Sequence, residues 1–233
     1  MRPQGVAGRG VAMTTAQRDE GVVSPLKGIR RTAARRMVAA WAAPVFHLVV
    51  EVDMTVALTV KDRAPGATLT DALLGACARA LTEHPALNAH YADEAVTTYD
   101  AVNLGLAVAT DAGLMVPVVH GADRLDLPAL GDARRDVTAR AREGRLQMAD
   151  VTGGTFTVSN LGMMGIDRFD AILNVPQVAI LAVGSTTHRQ VWNGGAPEWR
   201  PIAELTLTCD HRAVDGATGA GFLTAVRDLL TSP

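Results

Sequence analysis

The sequence predicts an α/β (α+β) fold, a two-layer sandwich in which a mixed β-sheet is covered by helices. Three observations lead there. Strand-like and helix-like stretches are interspersed along the 233 residues without repeating as a βαβ unit. No G-x-G-x-x-G follows a strand-like run, which argues against a dinucleotide-binding fold. Hydrophobic residues make up 48% of the chain, enough at this length to bury the core of one large domain.

Residues 1–24 are rich in Gly, Arg and small side chains, with no run suited to a signal peptide or a membrane span. They read as a disordered tail ahead of a domain over residues 25–233, in a protein expected in the cytoplasm with no membrane partner. Segment 28–41 (GIRRTAARRMVAAW) sets Ile29, Ala33, Met37 and Trp41 four apart, which predicts an amphipathic helix, stopped by Pro44. The β-branched stretch 45–55 reads as a strand, and 69–85 as a helix capped by Thr70 or Asp71 and stopped by Pro85. Strands at 101–110 and 114–120 join through Asp111-Ala112-Gly113, and a charged helix covers 127–147. Strands follow at 154–162 and 178–185. A hairpin turns at Asn193-Gly194, a strand spans 203–210, and a last helix starts at Gly216.

A net charge of −2 with no basic block speaks against nucleic acid as a partner. Cys77 and Cys209 lie far apart in apolar runs and read as buried free thiols rather than a disulfide. The histidines are scattered singly, so no metal site is expected.

Two stretches carry chemistry. In TCDHRAVDGATGAGF (208–222), His211 sits where a strand ends and a helix begins. An imidazole there suits a general base, worth about 10²–10⁴-fold; it equally suits a turn histidine satisfied by Asp210. Asp215 either orients His211 or pairs with an arginine, and Gly216 permits a positive φ or a close backbone approach. In the second stretch, Thr155, Thr157 and Ser159 put three hydroxyls on one strand face, running into Asn160 and a loop with Met163 and Met164. A hydroxyl at that strand end suits an oxyanion donor, and an ordinary strand end fits as well. Met163, Met164 and Phe169 read equally as core or as the lining of an acyl or pantetheine slot.

DHRAVDG resembles the DHRxxDG signature of the dihydrolipoyl acyltransferase component of 2-oxo acid dehydrogenase complexes, and GGTFTVSNLGMMGIDRFDAILNVPQVAILAVG resembles its other signature block. The likeness continues through LKGIRRTAARRM, HPALNAHY and VNLGLAVATDAGLMVPVV. The wider superfamily is chloramphenicol acetyltransferase-like. The resemblance implies a homotrimer with active sites at subunit interfaces and acetyl-CoA as cosubstrate. It makes His211 the base, Ser159 from the neighbouring subunit the oxyanion donor, and Asp215 the holder of the turn through Arg30, with Gly216 in support. Asn160, Leu161 and Met163 are the implied cofactor-binding residues.

Three departures shape the expected function. The chain contains no lipoyl domain and so no covalently bound lipoyl group; it stops at FLTAVRDLLTSP; and Val45 follows Pro44 where the family commonly has a histidine. The expectation is therefore a free-standing, metal-free acetyl-CoA-dependent transferase. Its acceptor would be a small-molecule hydroxyl in a natural-product pathway, such as a hydroxymethyl tetronate. The alternatives are a dihydrolipoamide S-acyltransferase core served by a lipoyl domain on another chain, and a non-catalytic scaffold.

Overall fold

Aliphatic and β-branched runs build one mixed sheet, and two helices close its inner face. The computed structural model describes residues 24–232, so the tail expected over 1–24 lies outside them but for Ser24. In chain order the elements are α1 (Gly28–Trp41), β1 (Val45–Asp53), α2 (Val60–Arg63), α3 (Leu69–Glu83), β2 (Ala89–Ala92), β3 (Ala95–Thr98), β4 (Leu104–Leu106), β5 (Val108–Thr110), β6 (Gly113–Met115) and β7 (Val118–Val119). They continue with α4 (Leu127–Arg142), β8 (Phe156–Asn160), β9 (Ala179–Val183), β10 (Thr187–Asn193), β11 (Ala196–Asp210) and α5 (Gly216–Thr231).

The main sheet runs β1-β11-β9-β8-β4-β7, with β10 paired to the first half of β11. β4, β8 and β9 are mutually parallel, and the remaining pairings are antiparallel. β9 is AILAV and fully buried, as a central strand covered on both faces must be. Leu73, Leu74 and Leu81 of α3 and Phe222, Val226 and Leu230 of α5 fill the space above the sheet. Phe156 and Phe222 meet there at 5.4 Å between ring centroids. Gly219 lets α5 approach the sheet, because a Cβ there would lie 3.0 Å from Leu48 Cδ1.

Several boundaries differ from the sequence reading. α3 begins under Thr68, whose backbone N–H and hydroxyl both donate to Asp71 Oδ2 at 2.8 Å, so the cap is Thr68, ahead of the expected Thr70 or Asp71. α4 ends at Arg142 because Gly144 turns into the left-handed region (φ +67°). The hairpin arm and the strand expected at 203–210 form one continuous strand, β11. Strands 101–110 and 114–120 each divide in two, β4 pairing with β7 and β5 with β6.

α1 has the expected bounds but a different burial. Only Ala40 is buried, while Val38 (75%) and Trp41 (83%) are exposed. Among the described residues the apolar stripe of this helix is only partly covered, with Ala33 and Met37 half-buried and Ile29 and Trp41 exposed. Among the described residues no helix is long and apolar enough to cross a membrane.

Candidate active site

The last residues of β11 and the first of α5 set His211. Asp210 is 2% exposed and its amide donates to Val178 O at 2.9 Å, fastening the strand end to the segment before β9. Its carboxylate is clamped by Arg212, with Nε at 2.9 Å from Oδ1, Nη2 at 2.6 Å from Oδ2, and the Arg212 amide at 3.0 Å from Oδ1. This uses up the partner that the turn-histidine reading assigned to His211. A buried carboxylate without such pairing would be strongly destabilising.

His211 itself is exposed. Its amide donates to Pro44 O at 2.9 Å, and its ring lies 4.6 Å from that of Phe46, tilted by 49°. Pro44 and the start of β1 therefore act as the floor of the His211 turn.

Asp215 is the N-cap of α5. Its carboxylate accepts the Thr218 amide at 2.7 Å. That bond first, then the Thr218 hydroxyl, the Ala217 amide and the charge of His211, holds the Asp215 carboxyl below the usual carboxylate range. The expected Asp215–Arg30 pair is not made within the chain. Arg30 lies on α1 beside the β5–β6 hairpin, its Cγ 3.5 Å from where a Gly113 Cβ would stand, and the helix cap takes the Asp215 carboxylate instead. The role expected of Gly216 is corrected too. It has no positive φ, and nothing lies within 4 Å of a Cβ built on it, so neither a left-handed turn nor a close approach calls for glycine there. The close approach falls on Gly219.

The hydroxyl face of β8 separates into two kinds. Thr155 Oγ1 accepts the Asn103 amide at 3.0 Å. Thr157 Oγ1 bonds Gln177 Oε1 at 2.6 Å and accepts Asn174 Nδ2 at 3.2 Å. Ser159, half-buried, makes no side-chain hydrogen bond among the described residues. Its neighbour Asn160 accepts the Gly162 amide at 2.9 Å and turns the chain into an exposed loop, with Met163 78% and Met164 69% exposed. Leu161 is half-buried beside it. Gly162 is required by contact, since a Cβ there would lie 2.4 Å from Gly184 O. Phe169 belongs to a small core cluster with Leu173 and Ile180. Core packing thus accounts for Phe169 and not for the two methionines.

The chain does not bring His211 and Ser159 together. Cys209 pairs with Ala179 at the start of β9, whereas Ser159 pairs with Ala182 near its end. The strand rise alone, about 3.3 Å per residue, separates those two rows by about 10 Å, and His211 lies further out, beyond β11. Sequence reasoning missed the contacts of Tyr91 and Phe46 with the His211 turn. Both join residues more than a hundred positions apart, and no local spacing signals them.

No thiol competes for the chemistry: burial pushes both Cys77 and Cys209 up to about 12.

Residues 18–233 match the family of 2-oxoacid dehydrogenases acyltransferase (catalytic domain). The dihydrolipoyllysine-residue acetyltransferase component of the pyruvate dehydrogenase complex of Rickettsia bellii is 34% identical over 92% of this chain and 54% of its own length. That of the acetoin cleaving system of Bacillus subtilis is 36% identical over 90% and 55%. The chain thus spans about half the length of these relatives. A crystal structure of Azotobacter vinelandii dihydrolipoamide acetyltransferase superposes with a TM-score of 0.85 at 31% identity, covering 91% of this chain and 92% of that one. That work concerns the catalytic role of one serine, a histidine 52 positions later and an asparagine four beyond it. Chloramphenicol acetyltransferase shares the fold at 16% identity and a TM-score of 0.55.

These findings overturn the expectation of O-acetylation of a small-molecule hydroxyl in a natural-product or tetronate pathway, because the relatives are named for transfer at dihydrolipoyllysine. That expectation leaned on the missing lipoyl domain and tail. Such an absence carries no weight where the matched region is half of a longer protein in the relatives. The chain belongs to the 2-oxoacid dehydrogenase acyltransferase family, over its catalytic domain.

Proposed function

We propose that residues 25–233 form an acyltransferase domain that moves an acetyl group between CoA and a dihydrolipoyl thiol. Position carries this reading. His211 follows Ser159 by 52 places and Asp215 follows His211 by four, the same intervals as the serine, histidine and asparagine of the Azotobacter vinelandii enzyme. Asp215 stands where that enzyme has asparagine, and either side chain can cap a helix.

His211 would take the proton of the acceptor thiol, whose ordinary pKa is about 8.5, as sulfur attacks the acetyl thioester carbonyl. The carbonyl oxygen gains the charge, and Ser159, whose hydroxyl has no partner among the described residues, is the donor we assign to it. Collapse expels CoA as thiolate, which takes back the proton held by His211, so no acyl-enzyme forms. Asn160, Leu161 and Met163, next to Ser159, are the residues we assign to the CoA side.

A chain that holds base and oxyanion donor at opposite ends of β9 needs a second copy to complete the site. The homotrimer is the assembly we propose, with His211 and Ser159 from adjacent subunits. The exposed apolar side chains of α1, Ile29, Val38 and Trp41, suit such burial. Buried free thiols suit the cytoplasm, the compartment we propose.

The test is incubation with acetyl-CoA and dihydrolipoamide, following S-acetyldihydrolipoamide by mass. We expect transfer that drops by about 10³-fold in His211→Ala, with the variant still trimeric by sedimentation. Absence of transfer, or equal rates in wild type and variant, would contradict the reading. So would an active monomer.

A further inference from the structure

We propose that Tyr91 is a positioning residue for the base, holding His211 in register through Arg212 and Asp210. The inference rests on the reading of His211 as the base.

Tyr91 lies on β2, which is not part of the main sheet. Its amide donates to Pro176 O at 2.8 Å, and Val178 N donates to Ala89 O at 3.1 Å. The same short segment, 176–178, also receives the end of β11 through Asp210 N to Val178 O at 2.9 Å. One stretch of backbone thus fixes Tyr91 and the His211 turn against each other. As a result the Arg212 guanidinium carbon stands 4.2 Å from the centre of the Tyr91 ring.

That contact matters because of what Arg212 does. Its guanidinium and amide together occupy both oxygens of Asp210, whose side chain is 2% exposed. The Arg212 side chain is 36% exposed, so it is free to swing into water unless something holds its open face. The ring of Tyr91 is that face: a cation over an aromatic ring is attracted by the ring quadrupole. His211 is the residue between the two ends of this clamp. A slack clamp lets the peptide planes on either side of His211 rotate, and the imidazole leaves the direction set by Pro44 and Phe46. Misplacement on the order of 1 Å is enough to slow a proton transfer strongly.

The hydroxyl of Tyr91 makes no hydrogen bond among the described residues, so the ring alone is needed. Tyr91→Leu keeps apolar bulk and removes the quadrupole; Tyr91→Phe keeps both.

Measured with acetyl-CoA and dihydrolipoamide, Tyr91→Leu should lower kcat about tenfold with either KM changed less than twofold. Tyr91→Phe should restore kcat to within about twofold of wild type. Arg212→Gln should lower kcat at least as far, and the double variant Tyr91→Leu/Arg212→Gln should be no slower than Arg212→Gln alone, since the two act as one unit. Thermal unfolding of each variant separates a lost fold from a lost alignment. The proposal is overturned by full kcat in a folded Tyr91→Leu, by Tyr91→Phe being as slow as Tyr91→Leu, or by additive losses in the double variant. Full turnover in His211→Ala would remove the reading beneath it, whereas an inactive His211→Ala beside a fully active Tyr91→Leu would remove this proposal alone.

Discussion

At the start of β9 the chain fastens His211 from several sides, while near the end of the same strand it leaves Ser159 unfastened. The His211 turn is tied to Pro44 by its amide, to Val178 through Asp210, to Arg212 by a bidentate clamp and to α5 by the Asp215 cap. Ser159 has a hydroxyl with no partner among the described residues and borders a loop whose methionines face water. The two threonines before it on the same face are both consumed by structure. One half of the site is finished inside the chain. The other presents a donor with no partner among the described residues, as the proposed oxyanion donor would before an interface completes it.

The contrast between the ends yields variants that break one without the other. Ser159→Ala should lower transfer by about 10²–10³-fold, the range for removing one oxyanion donor. Its melting temperature should stay near wild type, because no native hydrogen bond is lost, and steady-state kinetics with calorimetry check both. Gly162→Ala should have a smaller effect at the same end. Its Cβ would lie 2.4 Å from Gly184 O, so the loop after Asn160 must shift. We expect about tenfold slower transfer from that misplacement, with CoA KM raised and His211 unaffected.

Asp215→Ala should act at the other end and mainly on stability. The Asp215 carboxyl is held below its ordinary value by the Thr218 amide, so its folded value is depressed. Its stabilising contribution is then present above the unfolded carboxylate range, about pH 4, and is lost as pH falls through the lower folded value. The melting temperature of Asp215→Ala should lie below that of wild type at pH 7, and the gap should close in acid. Asp215→Asn should keep most of the cap and most of the rate.

Much of this was legible in the residues. α1, α5 and the centre of α3 follow from apolar spacing and end signals, and β8 from its alternating hydroxyls. The β2–β3 hairpin was not seen. Its strands have four residues each, and its two-residue turn uses Asp93 and Glu94 at φ of 50° and 59° without the glycine that normally marks such a turn. The hairpin arm and the strand at 203–210 are one strand, β11, whose Pro197 and Pro201 are tolerated in its first half, the part that pairs with β10. The exposure of α1 is a different matter. Periodicity shows that a stripe is apolar, not whether its cover comes from the same chain. At the site, resemblance named His211, Ser159 and Asp215, but not what holds them. The helix cap that replaces an arginine pair at Asp215, and the Tyr91–Arg212–Asp210 clamp, are contacts in space that a motif does not encode.

The central claim is that one site takes His211 from one copy and Ser159 from another. Co-expression of His211→Ala and Ser159→Ala chains, each inactive alone, tests it directly. Random mixing in a trimer should leave intact sites at about a quarter of the wild-type number, and so recover about a quarter of wild-type transfer. A mixture no more active than its two parents would show that both residues serve the same copy, and would contradict the account.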